Sequence, residues 1–114
     1  MRMDRNENPD GCGKYAVVNL RKLTAVPGHA GTFRRWAPEV QAALDTLEAI
    51  GALEWGAVGQ PDEFFLVKLK DKHAQAALGA YAWSVSADDP EFAREIAALA
   101  SRSGPAHPLC KAPD

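Results

Sequence analysis

Residues 64–70 read Phe64-Phe65-Leu66-Val67-Lys68-Leu69-Lys70, and this run decides the fold class. Aromatic and β-branched residues at such density favour a strand, whose side chains alternate between two faces. Phe65, Val67 and Leu69 then share one face, and Phe64, Leu66, Lys68 and Lys70 the other. Both faces are partly apolar, so one of them must be covered by a helix, the tail or a partner. Upstream, Leu53 and Trp55 alternate with Glu54, and the turn-rich Gly56-Ala57-Val58-Gly59-Gln60-Pro61-Asp62-Glu63 separates the two runs. This spacing predicts a hairpin of the longer kind. A further strand is predicted earlier, over Lys14-Tyr15-Ala16-Val17-Val18-Asn19-Leu20.

Three helices fit around these runs. Pro38 suits a first turn, Glu39 the positive end of the helix dipole, and Gly51 a stop. Between them Val40, Leu44, Leu47 and Ile50 recur at helical spacing. Asp71 is the predicted cap of a second helix over residues 72–86, with Ala74, Ala77, Leu78, Tyr81, Ala82 and Val85 as its stripe. Asp89-Pro90-Glu91 opens a third, which buries Phe92, Ile96 and Leu99 and stops at Gly104-Pro105. The order β-α-β-β-α-α predicts an α+β fold, a small two-layer sandwich. Residues 1–13 read as a flexible polar N-terminus and 14–104 as a single domain. Residues 105–114, with Pro105, Pro108 and Pro113, read as an extended C-terminal arm.

The 114 residues are 46% hydrophobic and 25% charged, which argues against a wholly disordered chain. A net charge of -2 argues against a polybasic nucleic-acid binder. The charge is uneven, however. Residues 1–36 hold seven basic and three acidic side chains, a net +4, against six and twelve in residues 37–114, a net -6. Residues 1–10 lack the apolar stretch of a secretory leader, and the uncharged run 74–87 is too short to cross a bilayer. The expected compartment is the cytoplasm, with no membrane partner.

In that compartment a structural disulfide between Cys12 and Cys110 is not expected. His107 and Cys110, three residues apart, form one ligand pair where structural zinc takes four ligands, so neither metal nor cofactor is predicted. His29, His73 and His107 stand in no recognisable catalytic motif, and helix capping accounts for Asp88-Asp89. The chain is therefore expected not to be an enzyme.

A winged-helix-like DNA binder is the alternative, with residues 38–50 as recognition helix, residues 64–69 as wing, and Arg21, Lys22, Arg34 and Arg35 as the basic side. That helix would offer Glu39, Gln41, Asp45, Thr46 and Glu48 to the groove, where carboxylates repel phosphate. A second alternative is a small-molecule binder or enzyme, which needs a cavity holding a histidine beside a second polar group. The favoured reading is a module that binds a protein, or a second copy of itself, through Phe33, Arg34, Arg35 and Trp36. Aromatics flanked by arginine are typical of binding hot spots. Trp36 can equally staple the first helix, and Trp83 can pack on the third or remain partly exposed.

Several stretches carry a resemblance: Lys14-Tyr15-Ala16-Val17-Val18, residues 63–71, Ala80-Tyr81-Ala82, Asp89-Pro90-Glu91-Phe92-Ala93 and His107-Pro108-Leu109-Cys110-Lys111. Over residues 14–114 the chain resembles a group of short uncharacterised proteins of bacteriophages and prophages. The resemblance implies a phage accessory protein in a bacterial cytoplasm that acts on a host or defence component. It implies no catalytic or binding residue.

Overall fold

The computed structural model describes residues 2–23 and 36–113. The chain divides into two compact units, one joining Met1–Ala16 to Leu66–Asp114 and the other spanning Val17–Phe65. The described residues hold three α-helices, α1 (Pro38–Ala49), α2 (Ala74–Val85) and α3 (Pro90–Ser101), with short 3-10 turns at Asp4–Asn6, Leu20–Lys22 and Gly104–Ala106.

The first unit is built on α2 packed against α3, which follows after a link over residues 86–89. On α2, Ala74 and Ala82 are buried and Leu78 and Val85 half-buried, one stripe at helical spacing. It meets Ala93, Ile96, Leu99 and Ala100 of α3, all buried. Alanines on both sides leave little between the two backbones, so the helices approach closely. Tyr81 and Phe92 meet edge to face, centroids 6.5 Å apart, beside that seam.

The start of α3 follows the sequence: Asp89 Oδ1 accepts the Phe92 N–H at 3.1 Å, and Pro90 occupies the first turn. Its end turns sharply. Ser103 is fully buried, and its hydroxyl donates to the Leu99 carbonyl at 2.6 Å. Gly104 follows in the left-handed region at φ 59° and donates its N–H to the Leu69 carbonyl at 2.7 Å. The tail then returns to the start of α2. Lys111 N–H donates to Lys70 O and Lys72 N–H to Lys111 O, both at 2.9 Å, forming a parallel bridge between Asp71 and Lys111.

In the second unit, α1 ends in a Schellman motif. Ala52 N–H reaches the Leu47 carbonyl at 2.9 Å and Gly51 N–H that of Glu48 at 3.0 Å, with Gly51 at φ 79°. Leu44 is its buried side chain, while Leu47 and Ile50 of the predicted stripe are exposed.

The expected α+β sandwich is not formed. Among the described residues there are three helices and no strand, so the order β-α-β-β-α-α does not hold. Residues 14–19 and 63–68 have strand-like composition but pair with nothing described, and a strand exists only within a ladder. The expected hairpin fails in its loop. Residues 57–63 make two successive turns, closed by Gln60 N–H to Ala57 O and Glu63 N–H to Gln60 O, both at 3.0 Å. The carboxylates of Asp62 and Glu63 accept from Gly56 and Gly59 N–H at 3.3 and 3.1 Å. Trp55 is engaged elsewhere, on Trp36 and Glu48.

A side chain at Gly104 would stand 3.1 Å from the Lys72 carbonyl and 3.2 Å from Gln75 in a left-handed backbone. Gly104→Ala should therefore lower unfolding free energy by about 1–3 kcal/mol in urea denaturation. An unchanged midpoint would show that this turn does not hold the unit together.

Candidate functional site

Phe33, Arg34 and Arg35 lie outside the described residues, as does His29. Trp36 is described, and it is only 6% exposed. Its indole stacks on that of Trp55 with centroids 6.2 Å apart and planes 7° from parallel. Trp55 Nε1 donates to Glu48 Oε2 at 2.6 Å, so the pair joins the entry of α1 to its last turn and the chain beyond.

Of the two described histidines, only His107 hydrogen-bonds through its ring. His73 is exposed at the head of α2, its N–H on Asp71 Oδ1 at 2.8 Å. His107 is half-buried, and its Nδ1 accepts the Leu109 N–H at 3.0 Å. Cys12 and Cys110 are exposed free thiols. No group of three metal-ligating side chains comes together among the described residues. α1 carries no lysine or arginine, and no described strand forms the wing of a winged helix. No described helix is long and apolar enough to cross a membrane.

A shallow cleft of about 220 Å³ lies between the N-terminal turn and α3, lined by Met3, Arg5, Asn6, Glu95, Leu99 and Arg102 among others. Arg5 Nε is enclosed there without a hydrogen-bond partner. Glu95 is fully engaged. One carboxylate oxygen accepts Met3 N–H at 2.8 Å and the other the Arg2 guanidinium at 2.9 Å. These donors, Met3 first and Arg2 second, hold the Glu95 carboxyl below its ordinary pKa. This tie has no local sequence signal, because its partners lie 92 and 93 residues apart.

Apolar surface is the dominant exposed feature. Phe65 is 90% exposed, Trp83 82% and Phe64 64%, with Leu66, Tyr15, Val17 and Val18 also exposed. The Phe64 ring lies over Gly56, which has φ 62° and leaves no room for a Cβ beneath the ring. Val67 and Leu69 are half-buried, so the apolar run opens to solvent at its first three residues. The doubly apolar pattern of residues 64–70 was the sequence signal for this surface.

No family model matches the chain, and neither does any curated protein or solved structure.

Trp36→Ala removes a buried indole and its stack, and should cost about 3 kcal/mol, read as an earlier chemical denaturation midpoint. A midpoint equal to wild type would mean that Trp36 is not packed on Trp55. For Glu95, the folded pKa lies below the unfolded one, so its tie adds stability above the ordinary carboxylate range. That increment is lost as pH falls through the folded pKa. NMR titration should place the Glu95 carboxyl midpoint below 4.5, and Glu95→Gln should abolish the increment. A midpoint at or above 4.5 contradicts the tie.

Proposed function

We propose that this chain is a non-catalytic accessory protein that works by binding a protein partner. The observation that carries it is the open run Phe64-Phe65-Leu66, three consecutive large apolar side chains in solvent on chain that makes no ladder. Burying such residues stabilises a complex by roughly 1.5–3 kcal/mol each, enough for three of them to form a hot spot. Two further observations support a binding role. His107 holds a turn through its ring, His73 stands exposed at the head of α2, and the described cysteines stand apart as exposed thiols. The resemblance to phage and prophage proteins supports a setting inside a bacterial cell, with a host or defence component, or the chain itself, as partner. Phe33, Arg34 and Arg35 extend the same role as a second contact; Trp36, buried on Trp55, serves the helix entry instead.

The test is capture of binding proteins from bacterial lysate by wild type and by Phe65→Asp/Leu66→Asp, with nuclease present throughout. Both side chains are already in solvent, so the variant should keep the wild-type melting temperature to within a few degrees. Loss of the captured protein with an unchanged melt supports the proposal. Equal capture by both proteins removes residues 64–66 from the interface.

A further inference from the structure

The cleft between the N-terminal turn and α3 lies wholly within the first unit. Glu95 ties Arg2 and the Met3 N–H to α3, and this places Arg5 and Asn6 on one wall and Arg102, at the end of α3, on the other. Among the described residues, neither the Arg5 nor the Arg102 guanidinium forms a hydrogen bond or an ion pair. Arg5 is half-buried with its Nε sealed from water, so its charge is under-solvated and gains from an anion on the open side of the group. The neighbouring carboxylates are already committed. Glu95 has both oxygens occupied, with Arg2 beside it, and Asp4 accepts the Arg5 and Lys14 backbone N–H groups. Nor is the Arg102 side chain needed to close α3. The Ala98 and Leu99 carbonyls accept the Ser101 and Ser103 hydroxyls, both at 2.6 Å, and the Ala100 carbonyl accepts the Ser103 N–H at 3.1 Å.

We propose that this cleft binds a small phosphate monoester, with its phosphate between Arg5 and Arg102 and its carbon stem against Met3 and Leu99. Two uncommitted guanidinium charges match the charge of roughly -2 that a phosphate monoester carries near neutral pH, whereas a carboxylate offsets only one of them. Each guanidinium presents a planar fork of N–H donors suited to phosphate oxygens, and the Asn6 amide on the same wall adds a neutral donor. Size narrows the ligand further. A volume of about 220 Å³ is below the roughly 300 Å³ at which pockets begin to take drug-sized molecules, so the stem is a few carbons long and a nucleotide is excluded. The site shares no residue with the run 64–66, and it stands or falls apart from the protein-binding role.

The test is an NMR titration of the full chain with ethyl phosphate, inorganic phosphate and acetate at constant ionic strength. Ethyl phosphate should move the Arg5 side-chain Nε–H and the Arg102 backbone N–H saturably, with a Kd of about 1 mM or tighter. Arg102→Gln and Arg5→Lys should each weaken binding about tenfold or more, the size of one lost charge-assisted hydrogen bond. Arg102 is exposed, so its variant should keep the wild-type melt, and Arg5→Lys keeps the charge without the planar fork. Arg94→Gln, exposed on α3 outside the cleft, should bind as wild type does. Shifts that fail to saturate by about 50 mM, or that persist undiminished in Arg102→Gln, overturn the site. Acetate binding as tightly as ethyl phosphate overturns the phosphate class, and inorganic phosphate binding as tightly overturns the carbon stem.

Discussion

Close contact between α2 and α3 is the constraint on which the first unit depends. Four of its buried residues are alanines, which bring little apolar area, so Ile96 and Leu99 carry most of the burial. At roughly 1.5–3 kcal/mol for each large side chain, this seam alone is a thin core. The rest of the unit consists of polar ties to its ends. Ser103 and Gly104 lock the exit of α3, Lys111 brackets the entry of α2, and Arg2 and Met3 fasten the N-terminal turn to Glu95. Apart from the local Ser103–Leu99 bond, each tie closes a long loop, where chain-entropy arguments give a single hydrogen bond most leverage.

A thin core contrasts with a rich supply of apolar side chains outside it. Phe64, Phe65, Leu66, Tyr15 and Trp83 are the large residues a small domain normally buries first, and here they face solvent. α2 sharpens the point. It has no charged residue, yet only one stripe of it packs, and Trp83 stands on the open side. Exposed apolar surface of this kind marks an interaction surface more often than a passive one. The balance of buried and exposed apolar groups therefore favours a protein that completes its burial on a partner.

What was legible in the sequence was local. Pro38 and Gly51 mark α1, Asp89-Pro90 the start of α3 and Gly104 its end, because caps and left-handed turns act within a few residues. α2 starts at Ala74, two residues after the predicted start at Lys72. Asp71 does not cap the helix as expected; its backbone bridges Lys111 and its carboxylate holds His73 N–H. Strand pairing was not legible, since β-propensity describes a preference for pleated, half-buried surroundings and not the presence of a neighbour. Nor was the hairpin, because Asp62 and Glu63 spend their carboxylates on glycine N–H groups in the intervening turns.

The two aromatic groups singled out by the sequence meet different fates for one physical reason. Trp36 has a flat partner of its own kind within stacking distance, and Trp55 is fixed by its bond to Glu48, so this indole pair satisfies itself. Phe64 and Phe65 are adjacent along the chain, and successive residues of a strand-like run point to opposite sides. They cannot stack on each other, and a single covering element can shield only one of them. Phe64 leans on the bare backbone of Gly56 and remains largely open, while Phe65 has almost no cover.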